Sequence, residues 1–216
     1  MKFAIILSGC GVFDGAEIHE SVMTMLAIAK NGGSYDIFAP DVRQHHVINH
    51  LKGEEMDEQR NVLVEAARIA RGKIKALHEY SPGDYDALII PGGFGVAKNL
   101  CTYAIDGTDF YVDKVVEKAL KSTHAAGKAI GALCISPVLL AGVFEGIDVT
   151  IGKDKSTAAD IEKLGAVHIE TGPCEIVVDN ASKIVSTPAY MLDSGIEDIY
   201  AGADNLVKAI IEMVKG

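Results

Sequence analysis

Apolar residues along this chain follow two rhythms, and each rhythm marks a kind of element. Short runs dominated by apolar residues read as strands buried on both faces. They cover Phe3–Leu7, Tyr35–Ala39, Asp86–Ile90 and Ala129–Leu133. Between them apolar residues recur at helical spacing. Ala16–Asn31 predicts a helix with Ile18, Val22, Met25, Leu26 and Ala29 on one face, ended by Gly32-Gly33. Glu58–Ala70 predicts a second helix with Val62, Ala66 and Ile69 inward and Arg71-Gly72 as its stop. Tyr111–Ala125 predicts a third, and Ile199–Val214 a closing helix.

Shorter pieces lie between these. Lys73–Leu77 reads as a short strand, Pro82-Gly83-Asp84 as a turn and Lys98–Ala104 as a short helix or turn. Val149–Ile151 reads as a strand, and Thr157–Leu164 as a helix capped by Thr157 or Ser156. Ile176–Asp179 and Lys183–Ser186 form a hairpin pattern around Asn180-Ala181-Ser182. Pro40 to Asp57 is an irregular polar stretch, long for a compact domain. Strands alternating with helices predict an α/β fold, a mostly parallel sheet with helices on both faces. The ligand site of such a sheet lies off the carboxyl ends of its strands. Cys10, Gly92-Gly93, Cys134 and Thr187 all fall at predicted strand ends, so they converge on one mouth.

Composition narrows the function classes. The 216 residues suit one domain, residues 1–216, with inserted segments near 41–80 and 105–125. Hydrophobic residues make up 49%, and 22 glycines allow many tight turns. A net charge of −10 with no basic run argues against a nucleic-acid partner. No stretch reaches the ~18 uninterrupted apolar residues of a membrane span. Met1–Leu7 runs at once into Gly9-Cys10-Gly11, so it reads as a first strand and not as a signal peptide. The four cysteines, at 10, 101, 134 and 174, are scattered and predict reduced thiols in the cytoplasm.

Residues 128–137, Lys-Ala-Ile-Gly-Ala-Leu-Cys-Ile-Ser-Pro, hold the most informative chemistry. A buried strand ends at Cys134, and Pro137 suits the first turn of a helix. A cysteine at a sharp strand-to-helix turn reads as a nucleophile elbow, or as a small residue that packs well. Other constellations are weaker. Gly9-x-Gly11-x-x-x-Gly15 is one residue too long for a dinucleotide loop, and His45, His46 and His50 lack further ligands for zinc. The sequence therefore predicts no cofactor and no metal.

Taken together, these segments resemble the ThiJ/PfpI superfamily, whose fold is class I glutamine amidotransferase-like. Three blocks carry the resemblance: Gly15-Ala16-Glu17-Ile18-His19-Glu20, Pro91-Gly92-Gly93-Phe94-Gly95-Val96-Ala97-Lys98-Asn99-Leu100, and the Cys134 elbow with Pro137. Ser8–Gly15, Val47-Ile48-Asn49-His50, Glu65-Ala66-Ala67-Arg68 and Thr187–Leu192 resemble the ElbB branch, named for enhancing lycopene biosynthesis and described as glyoxalase-like. The resemblance implies a flavodoxin-like, three-layer α-β-α sandwich and a homodimer. It also implies roles for individual residues. Cys134 is the nucleophile, and Glu20 is a protonated acid whose hydroxyl points at the sulfur. Glu17, one turn away, is the alternative carboxylate. Gly93 and Ile135 supply backbone N–H groups to an oxyanion beside Gly92, while Asn99 and Tyr190 face the substrate.

The chain also departs from the pattern. Ile135 stands where protease-like relatives place a histidine, and Gly152 where deglycase-like relatives do. His168-Ile169-Glu170 has the look of an amidotransferase pair, yet it precedes the last hairpin. With no histidine to activate Cys134, amide hydrolysis is disfavoured, because the leaving amine needs a general acid. The resulting expectation is a cofactor-independent glyoxalase. Cys134 adds to glyoxal or methylglyoxal, and Glu20 moves a proton between carbons on the way to the hydroxy acid. The alternative is a non-enzymatic binding or redox-responsive protein linked to isoprenoid biosynthesis, and apparent deglycation of proteins is a related activity.

Overall fold

A computed structural model describes residues 1–215 of the chain. The first strand, β1 (Lys2–Ile6), leads through a glycine-rich loop into α1 (Ile18–Lys30), then β2 (Ser34–Ala39). A hairpin of β3 (Val47–Asn49) and β4 (Glu54–Met56) follows, then α2 (Val62–Ile69), β5 (Lys75–Ala76) and β6 (Ala87–Ile90). A π-type turn at Val96–Leu100, α3 (Tyr103–Asp106) and α4 (Lys114–Ala125) lead into β7 (Ala129–Leu133) and α5 (Ser136–Ala141). The rest is β8 (Asp148–Val149), α6 (Lys155–Lys163), β9 (Val167–His168), β10 (Val177–Asp179), β11 (Ile184–Thr187) and α7 (Ile196–Lys215).

The main sheet has seven strands in the order β10-β11-β7-β6-β1-β2-β5. All its pairings are parallel except β10 with β11, which run antiparallel with Val177 opposite Ser186. The pleat divides the apolar side chains of each strand between two cores. Ala4, Ile6, Leu88, Ile90, Ile130 and Ala132 pack with Leu120 of α4, Leu139 of α5 and Ile161 of α6. Phe3, Ile5, Ala87, Ile89, Ala129 and Leu133 pack with Ile28 of α1, Ala66 of α2 and Leu206 of α7 on the other face. The result is the expected three-layer α-β-α sandwich. β1 has its sequence neighbour β2 on one side and β6 on the other, so the strand order reverses there. Loops after β1, β6 and β7 leave the carboxyl ends at and beside that switch point, where open α/β sheets form their crevice.

Several local expectations change. The stripe of Ile18, Val22 and Leu26 faces outward, each about 42–43% exposed, while Glu20, Ser21, Thr24, Ala27 and Ile28 are the buried face of α1. Small and polar residues on that face let α1 lie close to its neighbours, and hydropathy alone does not reveal such a face. α2 begins at Val62, because Asn61 caps it by accepting from Val64 N–H at 3.0 Å. α4 begins at Lys114 behind the cap Asp113, and α6 at Lys155 behind Asp154, which replaces Thr157 or Ser156 as the cap. The stretch from Pro40 to Asp57 contains the β3–β4 hairpin. The strand expected at Val149–Ile151 is β8, paired with β9 in a separate two-stranded sheet.

Candidate functional site

The site grows from the end of β7, whose five residues are all buried. At Cys134 the backbone adopts φ +60°, a left-handed conformation unfavourable for a residue with a β-carbon. Neighbouring strands hold it there. Cys134 N–H donates to Thr187 C=O at 3.0 Å, and Ser136 Oγ donates to Pro91 C=O at 3.0 Å. The strained elbow is thus pinned to β11 on one side and to the end of β6 on the other.

α1 brings the carboxyl. Glu17 caps the helix, its Oε2 accepting from Glu20 N–H at 2.7 Å, while Glu17 N–H donates to Gly92 C=O at 2.9 Å. These bonds fix the first turn of α1 against the loop after β6 and aim Glu20 at Cys134. Glu20 is wholly buried. Its Oε2 accepts from Gly92 N–H at 2.7 Å, its Oε1 from Tyr190 N–H at 3.3 Å, and the carboxyl bonds the Cys134 thiol. Gly92 has to be glycine, because a β-carbon there would sit 2.4 Å from Cys134 Cβ and 2.9 Å from its sulfur. Gly93, at φ +98°, is equally confined: its β-carbon would meet Glu17 N at 2.4 Å.

Burial, with the Glu17 charge behind it, pushes the Glu20 carboxyl up to about 7, against the bonds from Gly92, Cys134 and Tyr190. Burial and then the Glu20 charge push the Cys134 thiol well above its ordinary value, against N–H bonds from Gly93 and Ile135. Desolvation outweighs the backbone donors, so the pair keeps a proton near neutrality. Glu20 is the member that exchanges it there. The N–H groups of Gly93 and Ile135 already address the sulfur, and that arrangement suits an oxygen bonded to the sulfur or to a carbon attached to it.

Glu20, Gly92, Gly93, Cys134 and Ile135 therefore meet in one place. Tyr190 joins through its backbone N–H, while its hydroxyl bonds His19 Nδ1 at 2.9 Å. Asn99, expected to face the substrate, has its amide taken up by backbone groups. Its Nδ2 donates to Ser8 C=O and Asp14 C=O, each at 2.9 Å, and its Oδ1 accepts from His45 N–H at 2.9 Å. With its amide so committed, Asn99 ties together the loops after β1, β2 and β6. Cys10 is half-buried, with Glu65, Arg68, Asp14 and Arg60 near enough to act on its thiol, and burial raises that thiol.

Three histidines are occupied away from the sulfur. His168 Nε2 accepts from Ile151 N–H at 3.3 Å, and His46 Nε2 accepts from Lys98 Nζ at 3.1 Å. His50 Nε2 accepts from Phe13 N–H at 3.2 Å and Nδ1 donates to Ile48 C=O at 3.0 Å. The sequence reading missed the part played by Ala189, whose φ of +44° turns Tyr190 N–H back toward Glu20. Pro188 signals a turn there but not its direction.

This fold and this cysteine–carboxylate elbow define a class, and comparison with known proteins bears the class out. The model of the DJ-1/PfpI family matches residues 10–191, and the chain belongs to that family. It is 47% identical to the rat mitochondrial ES1 protein homolog, over 98% of this chain and 84% of the rat protein. It is 46% identical to the human mitochondrial glutamine amidotransferase-like class 1 domain-containing protein 3, over 98% of this chain and 83% of the human one. Among solved structures, an isoprenoid biosynthesis protein with an amidotransferase-like domain from Ehrlichia chaffeensis is 35% identical, with a TM-score of 0.92 and 98% and 99% of the two chains covered. These relatives overturn the cytoplasmic expectation drawn from reduced cysteines, since the named rat and human proteins are mitochondrial. Scattered thiols report a reducing setting, and they carry no address.

Proposed function

We propose that this chain is a redox-responsive binding protein that serves isoprenoid biosynthesis, with Cys134 as its responsive thiol. One observation carries the reading. Cys134 has a carboxyl with a pKa of about 7 beside it, two backbone N–H groups at its sulfur and no histidine among its hydrogen-bond partners. Peroxide is the oxidant class. The Cys134 thiol passes its proton to Glu20 as its sulfur attacks one peroxide oxygen; the O–O bond breaks, the departing hydroxide takes that proton and leaves as water, and sulfenic acid forms. A second peroxide converts sulfenic to sulfinic acid with loss of another water. The sulfinate oxygens then accept from Gly93 N–H, Ile135 N–H and the protonated part of Glu20. The link to isoprenoids rests on the name of the Ehrlichia protein and on the resemblance of Ser8–Gly15 and Thr187–Leu192 to the ElbB branch.

The Glu20 carboxyl near 7 also favours a second reading, glyoxalase chemistry, because a proton shuttle works best with its pKa near ambient pH. Cys134 adds to one carbonyl of glyoxal and forms a hemithioacetal. Glu20 takes the proton from that carbon and returns it to the neighbouring carbon through an enediol, leaving a thioester that water opens to glycolate. One pair of assays separates the readings. Purified protein and Cys134→Ser are compared by peptide mass spectrometry after mild peroxide, and for glycolate formed from glyoxal. Selective sulfinic acid at Cys134 with glycolate no higher than in the variant supports the redox reading. Cys134-dependent glycolate replaces it with the enzyme.

We also propose a second copy of this chain as the partner of α1. Ile18, Val22 and Leu26 lie four residues apart on its outer face, a ridge that pairs with itself across a two-fold axis.

A further inference from the structure

The Cys134–Glu20 pair is closed in: Cys134 is 8% exposed and Glu20 0%. With so little of Cys134 at the surface, the access of a peroxide or an aldehyde to the sulfur depends on what covers it. Residues 188–192 are part of that cover. Ala189, Tyr190 and Met191 pack in the same apolar cluster as Cys134 and Ile135. The segment leaves β11 at Thr187, whose carbonyl holds Cys134 N–H, and passes through Pro188 into one 3-10 turn, Ala189–Met191. At φ +44°, Ala189 is left-handed with a β-carbon in the way, so the turn depends on contacts outside itself.

Tyr190 provides two such contacts, both to consecutive residues of α1. Inside, its backbone N–H donates to Glu20 Oε1 at 3.3 Å. Outside, its hydroxyl lies 2.9 Å from His19 Nδ1, with the rings 5.9 Å apart. Burial and the charges of Glu17, Glu20 and Glu197 keep the Tyr190 phenol protonated. The hydroxyl and His19 Nδ1 share one hydrogen bond, in which either atom donates according to the tautomer of His19. Glu20 and His19 point to different sides of α1, so one residue of the cover grips the helix at two points.

We propose that Tyr190 and His19 form a latch over the Cys134 chamber, and that both act as positioning residues. The outer bond holds the 189–191 turn shut. The turn in turn sets the N–H that orients the inner oxygen of Glu20. Releasing the latch frees the cover and removes one of the donors that hold the Glu20 carboxylate. This inference rests on reading Cys134 as the reactive centre.

The test is the rate at which iodoacetamide alkylates Cys134 in the folded protein, read by peptide mass spectrometry, with buried Cys101 in the same sample as a reporter of global opening. Tyr190→Phe keeps the ring and removes the hydroxyl. Alkylation of Cys134 should rise about twofold to tenfold, the factor that one lost hydrogen bond supports, with Cys101 unchanged. His19→Ala should give the same rise, and the double variant no more than either single one, because all three lose one shared bond. His19→Asn, which offers a carbonyl oxygen to the Tyr190 hydroxyl, should restore part of the protection. An unchanged Cys134 rate, additive single effects, or a parallel rise at Cys101 overturns the latch. Failure of wild-type Cys134 to form sulfinic acid, with no glycolate either, removes the underlying reading instead, so the two fail by different measurements.

Discussion

Glu20 holds a carboxyl where its ionised form is poorly solvated, and that single residue couples the site to stability. Its pKa rises from 4.5 to about 7 on folding, so the native state binds the proton more tightly than the unfolded chain between those values. The stabilising contribution is complete below 4.5 and is lost as pH rises through about 7. The rise corresponds to about 3 kcal/mol. Denaturation of the wild type should therefore become easier from pH 5 to pH 8. Glu20→Gln, which does not titrate, should flatten that slope; equal slopes in urea melts of both proteins would remove Glu20 as its source. Asn99 makes a contrasting residue-scale case. Its three bonds satisfy two backbone carbonyls on the loop after β1 and one backbone N–H on the loop after β2. Asn99→Ala should cost about 2–4 kcal/mol in the same melts, since buried groups left unpaired lose more than one bond's worth. A loss near zero would mean that water replaces the amide.

At the scale of elements, α1 shows how a helix carries two different faces of information. Its buried face holds Glu20, Ser21 and Thr24 beside Ala27 and Ile28, and its exposed face holds Ile18, Val22 and Leu26. A charge on the exposed ridge tests the self-association assigned to it. Leu26→Glu should shift the mass measured by light scattering from dimer to monomer and leave the circular dichroism spectrum unchanged. A wild type that is already monomeric would refute the pairing. α6 makes a smaller point about helix starts. Three polar residues, Asp154, Ser156 and Thr157, compete for its cap, and Asp154 takes the position with Oδ1 accepting from Thr157 N–H at 2.8 Å. Ionised Asp at a cap also complements the positive end of the helix, an advantage that hydroxyls lack.

Across the whole molecule, the chemistry gathers where the sheet order reverses. β1 and β6 lie side by side, and the glycine loops that follow them interlock, with Gly95 N–H on Gly15 C=O at 2.9 Å and Phe94 N–H on Val12 C=O at 2.8 Å. The elbow after β7 closes the site beside them. Such enclosure has a measurable consequence for the thiol. Because burial and Glu20 push Cys134 well above its ordinary value, its alkylation should rise about tenfold per pH unit past 9. A rate that levels off below pH 8 would mean an activated thiolate, and would overturn the protonated resting site.

The sequence by itself determined the layers and the elbow. Apolar runs such as Ala129–Leu133, short and bounded by turn residues, read as strands of a covered sheet, and Pro137 marks a helix start just past Cys134, which places the cysteine at the strand's carboxyl end. These are local matters of period and backbone preference. Tertiary structure decided which face of α1 turned inward, because small and polar residues at positions 20, 21 and 24 fit a close approach that hydropathy does not register. It decided that Asn99 braces loops, since its partners Ser8, Asp14 and His45 lie far away in the chain. It also decided the protonation of the site. The state of Glu20 follows from total burial and from N–H groups 72 and 170 residues distant, and those surroundings exist only once the sheet has brought them together.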